Sequence, residues 1–375
     1  MLIIEKVDTQ SKAQVRRFVR IPYRLYAHHP QWVPPLFGDV ELYLNRQKHP
    51  FYEFGSADFF LAVRNGQDIG RIAVLENPHF NEYHQVRQAW FYLFECENDM
   101  QAARALFERV FEWAKSRGLD TIVGPKGYGP LDGYGLLVEG FEHRQMMTMM
   151  NYNYDYYPRQ VEAMGFAKEV DFVSCYLSAE AFHLPERVHS IAERVLKRGT
   201  LSVQRFRSKK ELLSWADKIG RAYNQAFVNN WEYYPLTQRE IDFVVGNILP
   251  YADHRLIKII THDGGVVGFL FGFPDVSAAF QRARGHLLPF GLPDLMLEMR
   301  RTKWVALNGA GILPEFQGRG GNAVLYPEME KTISEFHFQH ADLTQVAETA
   351  VQMRHDLINL GGKADKNHRV YVKHL

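Results

Sequence analysis

The sequence is poor in the features that mark several large classes of protein. It contains two cysteines, Cys96 and Cys175, which are far apart and have neither the spacing of a metal site nor that of a disulfide framework. Its 44 basic and 43 acidic residues leave a formal charge of +1, so it lacks the basic excess typical of nucleic-acid-binding proteins. Its 16 histidines include no His-x-x-x-His pair, and we therefore expect no metal ion.

Long apolar runs are absent as well. The segment 266–273 is far shorter than the ~20 residues needed to span a bilayer. Residues 1–8 become charged too early for a signal peptide. We therefore expect a cytoplasmic protein with neither a nucleic acid nor a membrane among its partners. What the chain does have is length and apolar content: 375 residues, 46% of them hydrophobic, predict two domains.

The two halves of the chain share a weak internal repeat. Asn65-Gly66 and Asp263-Gly264, 198 residues apart, each separate two apolar runs, which is the signal of a β-hairpin. Gly165 and Gly361, 196 residues apart, each end a short helix that a strand follows. We therefore predict a duplication with domains over residues 1–180 and 181–375. Insertions near 126–155 and 277–301 account for the unequal spacing between these anchors.

The second half also carries clear helix starts. Ser208 is predicted to cap a helix that reaches Phe227, and Thr237 opens another with a Thr-x-x-Glu capping box. A helix over 185–197 is predicted to join the two halves.

The segment with the most chemical content runs from Trp304 to Leu325. It predicts a strand, a glycine-rich turn and a helix. Glycines in such a turn let backbone N–H groups converge, and the helix N-terminus adds partial positive charge. The turn therefore predicts a site for a diphosphate, with Arg319 as a further contact.

This segment resembles the signature of the GNAT superfamily of acyl-CoA N-acyltransferases, in which Gln/Arg-x-x-Gly-x-Gly/Ala follows a Val-x-Pro strand end. Ile312-Leu313-Pro314 matches the strand end and 317–322 matches the turn, with Asn322 in place of Gly or Ala. The order of strands and helices predicted for each half is similar to the order in the GNAT fold. The resemblance implies an α+β chain of two tandem GNAT-like domains, each a twisted mixed sheet flanked by helices. It also implies acetyl-CoA or another acyl-CoA as co-substrate and a small-molecule or peptide amine as acceptor.

The resemblance further implies roles for individual residues. The backbone of the strand end pairs with the pantetheine arm, the turn holds the diphosphate, and a backbone N–H near Ile312 stabilises the oxyanion. The residues implied to bind the cofactor are Ile312, Leu313, Gln317, Gly318, Arg319, Gly320, Gly321 and Asn322.

Candidates for proton transfer are Glu348 and His355, each of which is otherwise a solvated helix residue. The family's usual tyrosine acid, four residues before the last glycine, is replaced by Leu357. Tyr326 or Tyr371 takes its place, unless these are ordinary core or surface tyrosines.

The first half lacks the glycine turn. The equivalent segment holds three carboxylates, Glu95, Glu97 and Asp99, which favour a helix start but repel a diphosphate. We therefore expect the first half not to bind CoA. Nearby, a segment rich in methionine and tyrosine either lines an acceptor pocket or packs between the domains; its members are Met146, Met147, Met149, Met150, Tyr152, Tyr154, Tyr156 and Tyr157.

Two other functions remain open at this point. Leu357 and Asn322 are also compatible with a tandem protein that binds CoA or another ligand without turnover. An aminoacyl transferase of similar tandem architecture is the second alternative, against which the +1 charge weighs because a charged-tRNA donor favours a basic surface.

Overall fold

A computed structural model describes residues 1–129, 132–147, 150–231 and 233–375, so Met149 lies outside the described residues. The first half forms, in chain order, β1 (Leu2–Lys6), α1 (Lys12–Leu25), α2 (Phe37–Leu44), β2 (Ser56–Arg64), β3 (Gln67–Glu76), α3 (Pro78–His84), β4 (Gln88–Cys96), α4 (Met100–Ser116), β5 (Thr121–Gly124), β6 (Leu136–Glu139), α5 (Tyr157–Glu162) and β7 (Ala167–Ser178).

The second half follows a similar order, with two helices where the first half has α3 and three helices where it has α1 and α2. It forms α6 (Glu186–Lys197), β8 (Ser202–Gln204), α7 (Lys209–Leu213), α8 (Ala216–Ala226), α9 (Gln238–Ile248), β9 (Ile257–His262), β10 (Gly265–Pro274), α10 (Ser277–Ala283), α11 (Gly291–Arg301), β11 (Trp304–Ile312), α12 (Gly321–Glu335), β12 (His340–Ala347), α13 (Val351–Asn359) and β13 (Lys363–His374). Helices α10 and α11 occupy the insertion expected at 277–301.

The chain divides into two compact units. Unit 1 comprises Met1–Val173, Ser277–Met296 and Asp365–Leu375, and unit 2 comprises Ser174–Val276 and Leu297–Ala364. The units therefore differ from the expected domains 1–180 and 181–375, because two pieces of the second half belong to unit 1.

Hydrogen bonds explain both pieces. In α10, Gln281 donates from Nε2 to the carbonyls of Pro30 and Trp32, at 2.8 and 3.0 Å. Strand β13 pairs antiparallel with β5, from Tyr371 opposite Gly124 to His374 opposite Thr121.

Each unit is built on a mixed sheet. In unit 1 the strand order is β1-β2-β3-β4-β5-β13 followed by the first part of β7, with β6 pairing with β13. In unit 2 it is β8-β9-β10-β11-β12 followed by the last part of β7. In both, a helix (α4 or α12) joins two adjacent parallel strands, as such a crossover requires. The expected α+β class, with mixed sheets flanked by helices, is confirmed.

The two halves share details of backbone conformation and strand register. Both hairpin turns have left-handed residues, with φ of 52° and 81° at Asn65 and Gly66, and 48° and 76° at Asp263 and Gly264. Gly70 lies opposite Cys96 in unit 1, and Gly268 lies opposite Ile312 in unit 2. Both strand pairs also contain a bulge just before this position. Cys96 and Ile312 therefore hold the same position in the two units.

The core of unit 1 lies between its sheet and α4. The apolar face of α4 is buried at Ala103, Leu106, Phe107, Val110 and Ala114, while Phe111 is partly buried. Burying a large side chain of this kind stabilises the fold by about 1.5–3 kcal/mol. The methionine- and tyrosine-rich segment contributes to packing within the same unit, because Tyr152 and Tyr157 belong to its buried clusters.

One helix differs from its prediction. The structure divides the segment 208–227 into α7 and α8, with Ser208 capping α7 as expected. The interruption falls at Ser214, whose hydroxyl donates to the Glu211 carbonyl at 2.6 Å, a local bond with which serine competes against helix continuation. The capping box at Thr237 is present as predicted.

We expect His368 to make unit 1 sensitive to acid. Its ring is buried, Nε2 lies 2.9 Å from the Asn151 carbonyl, and Nδ1 has no hydrogen-bond partner among the described residues. Burial lowers the pKa of His368 to about 4. Because the unfolded ring titrates near 6.5, stability is fully present above that pH and falls as the pH drops toward 4, by about 3 kcal/mol.

Urea denaturation at pH 7 and pH 4 measures this contribution. The control variant His368→Gln retains a donor for Asn151 but does not titrate, so its stability should decline less over the same range. Equal declines in the two proteins would show that His368 is not the group responsible.

No helix in the described part of the chain is both long and apolar enough to cross a membrane.

Candidate functional site

The strand end in unit 2 opens away from its neighbour. Strands β11 and β12 pair in parallel from Trp304 opposite His340 to Leu307 opposite Leu343, and in the described residues the ladder does not continue beyond that point. A bulge on β11 follows at Asn308-Gly309, where φ of Gly309 is 97°. Among the described residues, the five from 308 to 312 therefore have no strand partner on the β12 side, and this unpaired side of β11 is called the gap below.

The alternation of hydrogen bonds along β11 shows which groups face the gap. Leu313 N donates to Val267 O at 2.9 Å, so Ile312 and Gly268 form a pair that does not exchange hydrogen bonds. The N–H and C=O of Ile312 consequently point away from β10 and toward the gap. The Ile312 carbonyl accepts a hydrogen bond from Gln317 Nε2 at 3.2 Å.

The glycine turn leads directly into α12. Gly318 and Gly320 have φ of 72° and 87°, which an L side chain rarely adopts. Among the described residues no side chain caps α12, and its first turn holds no acidic residue. The first intrahelical bond runs from Val324 N to Gly320 O, which leaves the N–H groups of 321–323 for an external acceptor. This helix start is therefore suited to bind an anion.

Packing imposes a second requirement on the same glycines. A Cβ at Gly320 would lie 2.9 Å from Val195 Cγ2 on α6, and one at Gly321 would lie 2.8 Å from Ile312 Cδ1. The predicted contact Arg319 is exposed, with its guanidinium 5.3 Å from the centre of the Phe316 ring. The turn therefore combines a left-handed backbone with close packing, and neither tolerates a larger residue at 320.

The equivalent position in unit 1 is closed by its own side chains. Cys96 N donates to the Tyr157 hydroxyl at 3.0 Å, so the amide that corresponds to Ile312 N–H is already bound. Asp99 caps α4 by accepting from Ala102 N at 3.0 Å and pairs with Arg64 at 2.7 Å. The carboxylate at the helix start, which the sequence indicates, thus occupies the place of a bound anion.

Glu95 differs from its predicted place. It does not crowd the start of α4 but is mostly buried, with its side chain 13% exposed and Oε2 accepting from the hydroxyls of Tyr26 and Tyr157 at 2.7 and 2.9 Å. Arg71, itself 3% exposed, lies 3.8 Å from Glu95 Oε1. Burial raises the pKa of Glu95, and the Arg71 charge opposes that shift. Sequence reasoning missed this cluster because its four members come from separate parts of the chain.

The predicted proton-transfer residues occupy different environments. Glu348 is half-buried in the turn after β12, and His355 is exposed on α13, both in unit 2 with the glycine turn. Tyr371 lies in the core of unit 1, where its hydroxyl donates to Glu162 Oε1 at 3.1 Å; a role for it in a reaction stays a prediction.

The remaining tyrosine candidate and the residue in the acid position are both in unit 2. Tyr326 donates to Asp356 Oδ2 at 3.4 Å, and burial raises its pKa. Leu357, in the position of the usual tyrosine acid, is buried.

No model of a known protein family matches the chain. It is 29% identical to a bacterial ceramide synthase of Caulobacter vibrioides over 98% of this chain and 97% of that protein. It is 26% identical to protein YghO of Escherichia coli over 97% of this chain and 94% of that one.

Among solved structures, a tandem GNAT protein from the clavulanic acid biosynthesis pathway aligns over 100% of this chain and 98% of its own, with a TM-score of 0.56 and 11% identity. The chain therefore has the GNAT fold in its tandem form.

Proposed function

Because the chain has the tandem GNAT fold, we propose that unit 2 transfers an acyl group from acyl-CoA to the amine of a long-chain acceptor. One observation carries this proposal: the gap beside β11, into which the Ile312 N–H points, lies next to the uncapped start of α12. A thioester carbonyl and a diphosphate are the two parts of acyl-CoA that such groups would bind. The equivalent groups in unit 1 are already occupied, which supports a single donor site per chain.

The proposed donor site assigns a task to each part of the turn. The N–H groups of 321–323 hold the diphosphate, and the glycines at 318 and 320 give the backbone the shape that presents them. The unpaired edge of β11 offers backbone groups to the pantetheine arm, as an added strand would use them. Arg319, exposed beside the turn, adds positive charge.

The transfer itself needs proton removal and oxyanion stabilisation. An ammonium acceptor first gives one proton to Glu348, directly or through water, and the neutral amine attacks the thioester carbonyl. The Ile312 N–H stabilises the tetrahedral oxyanion. Attack forms the C–N bond, and collapse of the intermediate re-forms the C=O bond and breaks the C–S bond. The second amine proton goes to the leaving thiolate, which gives free CoA and an amide.

The class of acceptor is inferred from the relative that spans almost the whole chain. That protein is named a ceramide synthase. A ceramide is an amide between a fatty acyl group and a long-chain amino alcohol, so the same reaction here needs a long-chain amine and a long acyl-CoA. At 29% identity we extend to this chain the class of reaction and not an individual substrate.

The test is an assay of thiol release with acetyl-CoA or palmitoyl-CoA as donor and a long-chain amino alcohol or a short soluble amine as acceptor. We expect release above the hydrolysis background only with the long-chain acceptor, and an amide product by mass spectrometry. Donor binding without release would support the non-catalytic alternative, which the buried Leu357 in the acid position favours.

A variant of Glu348 separates base catalysis from donor binding. Glu348→Gln should lower kcat by about 100-fold or more, as expected when a general base is removed, with the affinity for acyl-CoA unchanged. The matched change His355→Gln, on the exposed face of α13, should alter kcat by less than about threefold. The reverse order of effects would assign the base to His355.

A further inference from the structure

The segment 282–303, called here the docking segment, presents apolar side chains to solvent. Leu288 is 78% exposed and Phe290 82%, and three further apolar residues follow within seven positions: Leu292, Met296 and Leu297, at 46, 55 and 52%. The other large apolar residues exposed in the described part of the chain are scattered singly or in pairs. Clustering of this kind marks an interaction surface, whereas isolated exposed residues do not.

Helix α11 has one buried side and an opposite side on which apolar residues are exposed. Leu295 and Glu298 face inward and are buried, and Glu298 pairs with Arg301 at 2.7 Å. Leu292, Met296 and Arg300, four residues apart, follow one another along the outer side. The helix therefore satisfies its folded contacts through one side and leaves an apolar side available.

Basic residues flank this apolar side. Residues 282–303 contain five basic side chains (Arg282, Arg284, Arg300, Arg301 and Lys303) and two acidic ones (Asp294 and Glu298), a net charge of +3. The side chains of Arg284, Arg300 and Lys303 are exposed. Both acidic groups are neutralised locally, since Asp294 pairs with Arg282 at 2.8 Å and Glu298 pairs with Arg301.

The net positive charge of the docking segment favours one kind of binding partner over another. A second copy of the chain, docked through the same face about a two-fold axis, would bring two segments of net charge +3 together. A bilayer that contains anionic lipids instead attracts the arginines and lysine and accepts the leucines and phenylalanine at its interface, as it does for other basic amphipathic helices.

We propose that the docking segment binds the surface of anionic bilayers, with Leu288 and Phe290 inserted at the headgroup boundary. This revises the expectation of no membrane partner, because an interfacial helix needs no spanning segment. The proposal rests on exposure and charge alone and does not depend on the proposed acyl transfer.

Cosedimentation of the purified protein with vesicles tests the proposal. Wild type should bind vesicles of phosphatidylcholine and phosphatidylglycerol at least tenfold more strongly than vesicles of phosphatidylcholine alone, and high salt should weaken that binding. Leu288→Ser combined with Phe290→Ser should weaken binding at least tenfold. Arg284→Glu combined with Arg300→Glu should abolish the preference for anionic lipid, since each basic residue contributes about fivefold.

The matched control replaces two exposed apolar residues elsewhere, Leu213→Ser and Val228→Ser, which are 45 and 42% exposed, and should bind vesicles like wild type. Circular dichroism and thermal unfolding verify that each variant is folded.

Absence of binding by wild type, or equal binding by the control and the Leu288/Phe290 variant, would overturn the proposal. So would conversion of a dimer to a monomer by that variant with vesicle binding unchanged. Vesicle binding is measured without any acyl-transfer assay, so failure of either proposal is distinguishable from failure of the other.

Discussion

Asn322→Asp is expected to weaken acyl-CoA binding by about 10- to 100-fold, equivalent to about 1.4–2.8 kcal/mol. The new carboxylate would lie in the first turn of α12, where the structure has no acidic residue. Two like charges about 5 Å apart repel by about 3 kcal/mol at an effective dielectric constant near 20, and solvent reduces this. The same carboxylate favours the helix dipole, so the melting temperature should stay constant or rise.

This variant is informative because it should weaken acyl-CoA binding without lowering the melting temperature. Calorimetric titration with acetyl-CoA measures the affinity, and thermal unfolding measures the melting temperature. The control Asn322→Ser places an uncharged side chain at the same position and should change affinity by less than about threefold. If Asn322→Asp binds acetyl-CoA as tightly as wild type, the turn does not hold the diphosphate and the donor site lies elsewhere.

Arg71→Met is expected to destabilise unit 1 by about 3–5 kcal/mol, the cost of leaving a buried charge without its partner. Arg71 also donates from Nη1 to the Phe18 carbonyl at 3.0 Å and stacks on the Phe18 ring. Without the guanidinium, the Glu95 carboxylate keeps only the two tyrosine hydroxyls. Urea denaturation at pH 7 measures the loss.

Two further variants identify the cause of that loss. Adding Glu95→Gln to Arg71→Met should recover more than half of the lost stability, since the amide oxygen still accepts from Tyr26 and Tyr157 but carries no charge. Arg109→Met breaks an exposed pair of 2.8 Å with Glu112 and should cost less than about 1 kcal/mol. Equal stability of the single and double variants would mean that Arg71 acts through packing and not through its charge.

Features that depend on a few consecutive residues were predictable from the sequence. The two hairpins follow from Asn65-Gly66 and Asp263-Gly264, because left-handed turns need such residues. The start of α12 follows in the same way from the glycines before it. The GNAT fold was predictable because the order of these local signals is itself diagnostic.

Features that depend on register or on distant segments were not predictable. The hydrogen bond from Cys96 N to Tyr157 joins residues 61 positions apart, and no local pattern distinguishes that tyrosine from its neighbours. The sequence predicts one acidic group from Glu95, Glu97 and Asp99 because the three lie within five positions, yet Glu95 accepts hydrogen bonds from Tyr26 and Tyr157, which lie far away in the sequence. The exposed apolar side of α11 could not be predicted from the sequence, because apolar residues in a helix normally predict a buried face.

The place of β13 has a consequence for how the protein is made. Residues 365–375 belong to unit 1, next to a strand that precedes them by more than 200 positions. Translation must therefore reach the last strand before the earlier unit can complete its sheet, and during that time β5 has an open edge. Cutting the gene at the repeat boundary would not give two independent proteins, because each product would lack a strand that the other encodes.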